Sequence, residues 1–214
     1  MTKSALATPD RASALLYVRL LVQLSVLFVL VYGGCNWLSA QRESTWGMYT
    51  QWELAIPFVP SMVFVYFSIS ALFWLPMFCL SPAQMRALAR VFALATVIGG
   101  ICFLLMPGHL GHTRPTTVPD FAAVYAAMYQ LDLSHNLVPS LHIAYSSLIV
   151  WVIASALAGC AQGRLWTLLL QVWLALIVAS VLLVHQHHLL DVLAGLALGR
   201  YCYNRYLNLT RQRM

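Results

Sequence analysis

Charge is scarce in this sequence. Asp, Glu, Lys and Arg make up 8% of its 214 residues, against about 25% in an ordinary soluble domain, too few to clothe a water-soluble globule of this length. Six acidic residues face twelve basic ones, for a net charge of +6, but the basic residues form no run or stripe. Nothing therefore points to nucleic acid, and no nucleic-acid partner is expected. The five cysteines (Cys35, Cys79, Cys102, Cys160 and Cys202) stand singly with no C-x-x-C pair, so neither a structural disulfide nor a cysteine-ligated metal is expected. There is no internal repeat and no low-complexity tract.

What the chain has in excess is apolar residues, 61% of the total, where roughly 45–50% is usual. A membrane-crossing helix needs about 20 predominantly apolar residues. Six such stretches fit at approximately 14–32, 55–80, 87–106, 139–158, 165–184 and 188–204. Little remains for a separate soluble unit, so the expectation is one domain over residues 1–214, an all-α polytopic membrane bundle of about six transmembrane helices. Lys3 and Arg11 precede the first stretch as in a signal peptide, but Leu15 to Tyr32 is too long for an h-region and lacks an A-x-A-like site, and it reads as a retained span.

Orientation follows from alternate loops. Lys3, Arg11, Arg86, Arg90, Arg164, Arg200, Arg205, Arg211 and Arg213 fall on one side, with Arg42 and Arg114 opposite, which places both termini in the cytoplasm. Glu43, Glu53, Asp120, Asp132 and Asp191 fall on the outer side. The segment from Asn36 to Glu53 carries Trp37, Trp46, Tyr49 and Trp52 among polar residues, an interfacial composition that suits an aromatic anchor or a lid over a lipid headgroup. Gly195 and Gly199 form a G-x-x-x-G spacing, read as close packing inside the bundle.

Three outer-face elements carry the chemistry: Arg114-Pro115, then Pro139-Ser140-Leu141-His142, then His185-Gln186-His187-His188-Leu189-Leu190-Asp191. Ionisable groups at the edge of an apolar bundle are costly and mark function. With a helix beginning near His187, His187 and Asp191 at i and i+4 share a face. A carboxylate on one imidazole nitrogen fixes the tautomer and leaves the other as nucleophile or base. Pro139 suits a helix start, which would turn the N–H groups around Ser140 and Leu141 outward as an anion site. His142 is placed to protonate a leaving oxygen, and Arg114 offers a planar fork of donors for phosphate. His185 is a further candidate phosphate contact. Asp120 and Asp132 read as residues that solvate their loop.

These residues resemble the phosphatidic acid phosphatase type 2 superfamily, whose pattern is K-x6-R-P, P-S-G-H and S-R-x5-H-x3-D. Arg114-Pro115, Pro139-Ser140-x-His142, and Ser180 with His187 and Asp191 fit it in order and spacing, with the motif-bearing part at about 107–200. The resemblance implies a six-helix membrane fold, a phosphohistidine intermediate on His187, no metal or other cofactor, and a lipid phosphate as substrate. Pro107 stands in the position of the first-motif Lys, Leu141 in that of the Gly, and Val181 in that of the third-motif Arg. Two phosphate-binding cations are thus absent, and protonated His109, His112 or His185 would be their replacements. The P-S-L-H and Q-H-x-x-x-D forms look like the branch of inositol phosphorylceramide synthases and related bacterial lipid phosphatases. The resemblance leaves open hydrolysis or transfer to an alcohol, the identity of the lipid, and the oligomeric state. A bacterial inner membrane with the site facing the periplasm is the expected location.

Two other classes compete. His142, His185, His187 and Asp191 would make enough ligands for zinc, although H-x-H-H is not the H-E-x-x-H spacing and no Glu lies on the same helix as a base. A transporter with a His and Asp path would need polar residues through the bilayer, where these spans have mostly Leu, Val, Ala and Phe.

Overall fold

The computed structural model describes residues 8–115, 117–131 and 135–211; Lys3, Asp132 and Arg213, used above, lie outside them. Helix α1 spans Arg11–Phe28 and starts on Asp10, whose carboxylate accepts the Ser13 N–H. It widens into a π turn at Val29–Gly33 and continues as α2, Gly34–Ser39. The first apolar rod is therefore 29 residues long, longer than the expected 14–32. The stretch read as polar from Asn36 begins inside this helix, with Asn36 and Ser39 buried.

The second expected span, 55–80, is not one helix. A 3-10 turn at Pro60–Met62 leads into α3, Val63–Phe67, α4, Ile69–Leu72, and α5, Leu75–Cys79. The breaks have local causes. The Ser68 hydroxyl donates back to the Val65 carbonyl while accepting the Trp173 indole N–H, a competitor to helical bonding. Pro76 has no N–H to give to the preceding turn.

Helix α6, Pro82–Leu105, begins where the expected turn lies. Ser81 caps it, Pro82 occupies the first position, and Gln84 reaches back to the Ser81 N–H, a reciprocal capping box. The 107–138 segment holds a helix that hydropathy did not predict: α7, Ala122–Leu131, is anchored by buried Tyr125, whose hydroxyl donates to the Pro60 carbonyl. Asp120 is exposed at its start.

The core is α8, Leu141–Leu157, apolar on nearly all sides and buried accordingly. Helices α9, Gly163–Leu183, and α10, Leu189–Arg211, pack against it. Helix α10 approaches closely because of its glycines: a Cβ on Gly195 would stand 2.6 Å from the Ser140 carbonyl oxygen, and one on Gly199 would stand 2.9 Å from that of Ala144. The G-x-x-x-G spacing thus packs within the bundle. Gly195→Val is expected to cost about 1–3 kcal/mol by overpacking and to lower both the melting temperature in detergent and activity, since Ser140 and Asp191 meet at this contact.

No strand occurs among the described residues beyond one isolated bridge, Trp46 to Gly108. Arg11–Ser39, Pro82–Leu105 and Gly163–Leu183 are long and apolar enough to cross a membrane. Pro60–Leu72 and Leu141–Leu157 are shorter apolar helices, and α10 turns polar in its second half. Large apolar side chains stand exposed along α1 and α9, among them Leu15, Val22, Leu30, Leu168 and Val172. Such a surface is at ease against lipid tails.

Candidate active site

The chain reverses between α9 and α10. His185 takes a left-handed backbone, φ 55°, and the N–H groups of Gln186 and His187 both donate to the Val181 carbonyl. Helix α10 starts at Leu189, two residues later than the spacing implied. Asp191 is its third residue, and its Oδ2 accepts the His188 N–H at 2.8 Å, half of a capping box. The same oxygen meets Nδ1 of His187 at 3.2 Å. The expected pair therefore forms by a different route, with His187 just outside the helix and the carboxylate folded back to it.

A carboxylate can only accept, so Nδ1 of His187 carries the proton and Nε2 carries the lone pair. Nε2 is buried and has no hydrogen-bond partner among the described residues. Such an atom inside a folded protein calls for an explanation, and its surroundings supply one: His142 and His187 both line a cavity of about 490 Å³, their ring centroids 5.8 Å apart.

His142 sits in the first turn of α8. Its Nε2 lies 2.9 Å from the hydroxyl of Tyr66 on α3, a residue that no sequence signal singled out. To act as an acid the His142 ring must be the doubly protonated imidazolium, and its Nε2–H then donates to the phenol oxygen. Arg114 is brought to the site through Gln186, whose Oε1 accepts from the guanidinium at 3.0 Å, and it lies 4.8 Å over the ring of Tyr129. Gln186, the first residue of the Q-H-x-x-x-D form, thus holds the guanidinium next to His187.

Ser140 occupies a different role from the one its motif implied. It is fully buried and caps α8, accepting the Ile143 N–H, and its own N–H donates to the Asp191 carbonyl at 3.0 Å. It joins α8 to α10, and because Ser140 also accepts the N–H groups of Ile143 and Ala144, the anion site expected at this terminus is reduced to the N–H groups of Leu141 and His142. Leu141, in place of the family's Gly, packs at Gly99, where a Cβ would come within 2.8 Å of its side chain. The side-chain volume gained on one helix is offset on the other. Val181, in place of the Arg, is buried.

A second cluster adjoins His187. His112 stacks on His185 at 3.6 Å and on His188 at 5.2 Å, and Tyr49 stacks on the other side of His188 at 4.7 Å. Burial, with His185 and His188 close by, pushes the His112 pKa down to about 4. Burial also lowers His185, against the opposing pull of its contact with the Ile56 carbonyl, and lowers His188, against the opposing pull of Asp191 and Glu53. These shifts work against the charged forms that would replace the missing cations. Nε2 of His185 lies 2.9 Å from the Ile56 carbonyl, which takes the proton of that nitrogen, so Nδ1 of the neutral ring is an acceptor and the expected phosphate contact of His185 requires the protonated ring. His109 pairs with the Thr45 hydroxyl.

The low pKa of His112 has a consequence for stability. The unfolded chain binds a proton at the ordinary value of 6.5 and the folded chain only near 4, so stability is complete above 6.5 and falls as pH drops through that window. His112→Gln is expected to flatten the decline of melting temperature between pH 7 and pH 4.

Glu53 closes the cluster from the outer segment. Its Oε2 accepts the Leu189 N–H at 2.7 Å and lies 3.5 Å from Nδ1 of His188, while its Oε1 takes the Thr50 N–H and hydroxyl. Burial raises its pKa, but those hydrogen bonds and His188 outweigh it and hold the carboxyl below its ordinary value. The 45–56 segment is thus pinned over the start of α10 with Trp46 and Trp52 turned outward and Tyr49 and Glu53 inward. Glu53→Gln puts a donor where acceptors are needed, at about 1–3 kcal/mol. A fall in kcat/KM of roughly tenfold to a hundredfold is expected, read as phosphate release.

Among the described residues no group of three or more His, Cys, Asp or Glu side chains stands close enough to hold a metal ion.

A family model described as the PAP2 superfamily matches residues 88–214. That is more than half of the chain, and the chain belongs to this superfamily. Membership and the apolar helices make it a membrane enzyme of the phosphatase and phosphotransferase class, acting on phosphate esters. No curated protein and no solved structure matches it.

Proposed function

We propose that the chain is a lipid phosphatase or lipid phosphotransferase working through a phosphohistidine on His187. The observation that carries this reading is the buried, unpartnered Nε2 of His187, held by Asp191 and sharing a cavity with His142. The Nε2 lone pair attacks phosphorus and forms an N–P bond. The P–O bond to the lipid alcohol breaks, and its oxygen takes the proton of His142. Water or an acceptor hydroxyl then gives its proton to His142 and attacks phosphorus, and the N–P bond breaks to restore His187. Arg114 and the N–H groups opening α8 hold the phosphate oxygens. Ser140 supports them by joining the two helices.

We place this site at the outer face, with both termini cytoplasmic, in a six-span bundle of a bacterial inner membrane. Support comes from helix direction: the site gathers where α6 and α9 end and α8 and α10 begin, away from Arg11, Arg86, Arg90, Arg164, Arg205 and Arg211. The test is phosphate release from a panel of lipid phosphates by purified protein in detergent with EDTA present. Chelator-resistant release is expected, falling about 10²- to 10⁴-fold in His142→Ala. Release abolished by EDTA, or neither phosphate release nor transfer to an added alcohol acceptor from any lipid, would overturn the reading.

A further inference from the structure

The cavity that meets the two histidines does not end there. At the site it is bounded by His142, His187, Asn136, Tyr32 and Thr96. At the opposite end its walls are Tyr17, Phe73, Met85 and Ala89, and the Tyr17 hydroxyl bonded to the Phe73 carbonyl closes the floor. Between them the lining is apolar, from Leu20, Leu24 and Phe28 on α1 and from Leu88 and Phe92 on α6. The headgroup chemistry needs none of this depth.

Its dimensions identify an occupant. From Tyr17 to Val29 along α1 is twelve residues, about 18 Å at the helical rise of ~1.5 Å. One leaflet's share of a ~30 Å hydrocarbon core is about 15 Å. If a methylene takes about the volume of a water, roughly 30 Å³, then 490 Å³ holds on the order of sixteen of them. These figures describe one extended chain of ordinary lipid length. Two such chains would need twice the space.

We infer that this cavity receives a single long hydrocarbon chain of the substrate, with Tyr17, Met85 and Ala89 setting the length that fits, so that the substrate class is a lipid phosphate entering by one chain. The inference rests on the phosphoryl-transfer reading for the position of the phosphate. Asn136 stands at the junction of headgroup and chain: its Nδ2–H donates to the Tyr32 carbonyl, and its buried Oδ1 has no partner among the described residues.

The test is photolabelling of the full chain in detergent by hexadecyl phosphate carrying a diazirine at the end of its alkyl chain, with labelled peptides mapped by mass spectrometry. The expected result is label on Tyr17–Leu21 and on Met85–Ala89, competed away by excess plain hexadecyl phosphate. Label confined to the lipid-facing side of α9, at Leu168 or Val172, or label that plain hexadecyl phosphate does not displace, would overturn the inference. Repeating the experiment with His187→Ala separates the two readings, because binding of the chain does not require turnover. Label in the cavity without phosphate release in the wild type would sink the catalytic reading alone, and release with label elsewhere would sink the chain site alone. As a second measure, Ala89→Trp fills the far end. It is expected to lower the ratio of kcat/KM for hexadecyl phosphate to that for octyl phosphate about tenfold, and an unchanged ratio would count against the inference.

Discussion

His187→Ala is expected to lower phosphate release by roughly 10⁴-fold or more, the scale on which removal of a covalent nucleophile acts, while leaving the protein folded. The reason is geometric. Nε2 of His187 bonds to nothing else among the described residues, so the fold loses little when it goes, whereas the reaction loses the atom that binds phosphorus. Removing Nδ1 does free Asp191 of one contact, but its Oδ2 keeps the His188 N–H and α10 keeps its cap. A melting temperature in detergent within a few degrees of wild type, measured beside activity, distinguishes loss of the nucleophile from loss of the fold. Residual release near wild-type levels in a folded variant would remove His187 from the mechanism.

The second large effect is expected at Asp191. Oδ2 of Asp191 serves both the His188 N–H and Nδ1 of His187; in Asp191→Asn the amide oxygen keeps both only in one orientation, the carboxylate charge is lost in either, and the flipped amide presents a donor. Where the donor faces Nδ1, the imidazole shifts its proton to Nε2 and the nucleophilic lone pair is lost. A comparable change in a Ser-His-Asp triad costs about 10⁴, and a loss of roughly 10³- to 10⁴-fold in kcat is expected here. A merely structural role would instead leave kcat intact in the surviving folded fraction. Measuring kcat well below the melting temperature of the variant in detergent separates the two, because a tautomer fault persists in the fully folded protein and a stability fault does not.

Much of this site was legible in the chain because its central contacts are local. His187 and Asp191 are four residues apart, and their pairing survives a helix that starts at Leu189 and not at His187. The α6 boundary was legible in Ser81-Pro82, and the α8 to α10 contact in the G-x-x-x-G spacing. What escaped is mostly long-range. Glu53 meets Leu189 from 136 positions away, and Tyr66 meets His142 from 76, distances over which no periodicity speaks. The role of Ser140 depends on its contact with Asp191. Hydropathy averaged the breaks at Ser68 and Pro76 into one span and passed over α7, whose ten residues are too few for a membrane signal.

These contacts also account for how the chain departs from its family's pattern. Gly99 receives the side chain of Leu141, and Arg114 is held beside the nucleophile by Gln186. Burial works against the charged forms of His112 and His185, and for His112 the neighbouring histidines add to it. Phosphate binding therefore leans on Arg114 and on backbone N–H groups, and Arg114→Lys, which keeps charge but loses the fork, is expected to raise KM more than it lowers kcat.

The most direct measurement is to trap the covalent intermediate. Wild-type protein is mixed with a lipid phosphate carrying radiolabelled phosphate, quenched in alkali within the first turnover, and digested for peptide mapping. An acid-labile, alkali-stable phosphate on His187, absent from His187→Ala, is the expected result. Label on any other residue, or steady phosphate release with no labelled peptide at any time, would contradict the phosphohistidine mechanism.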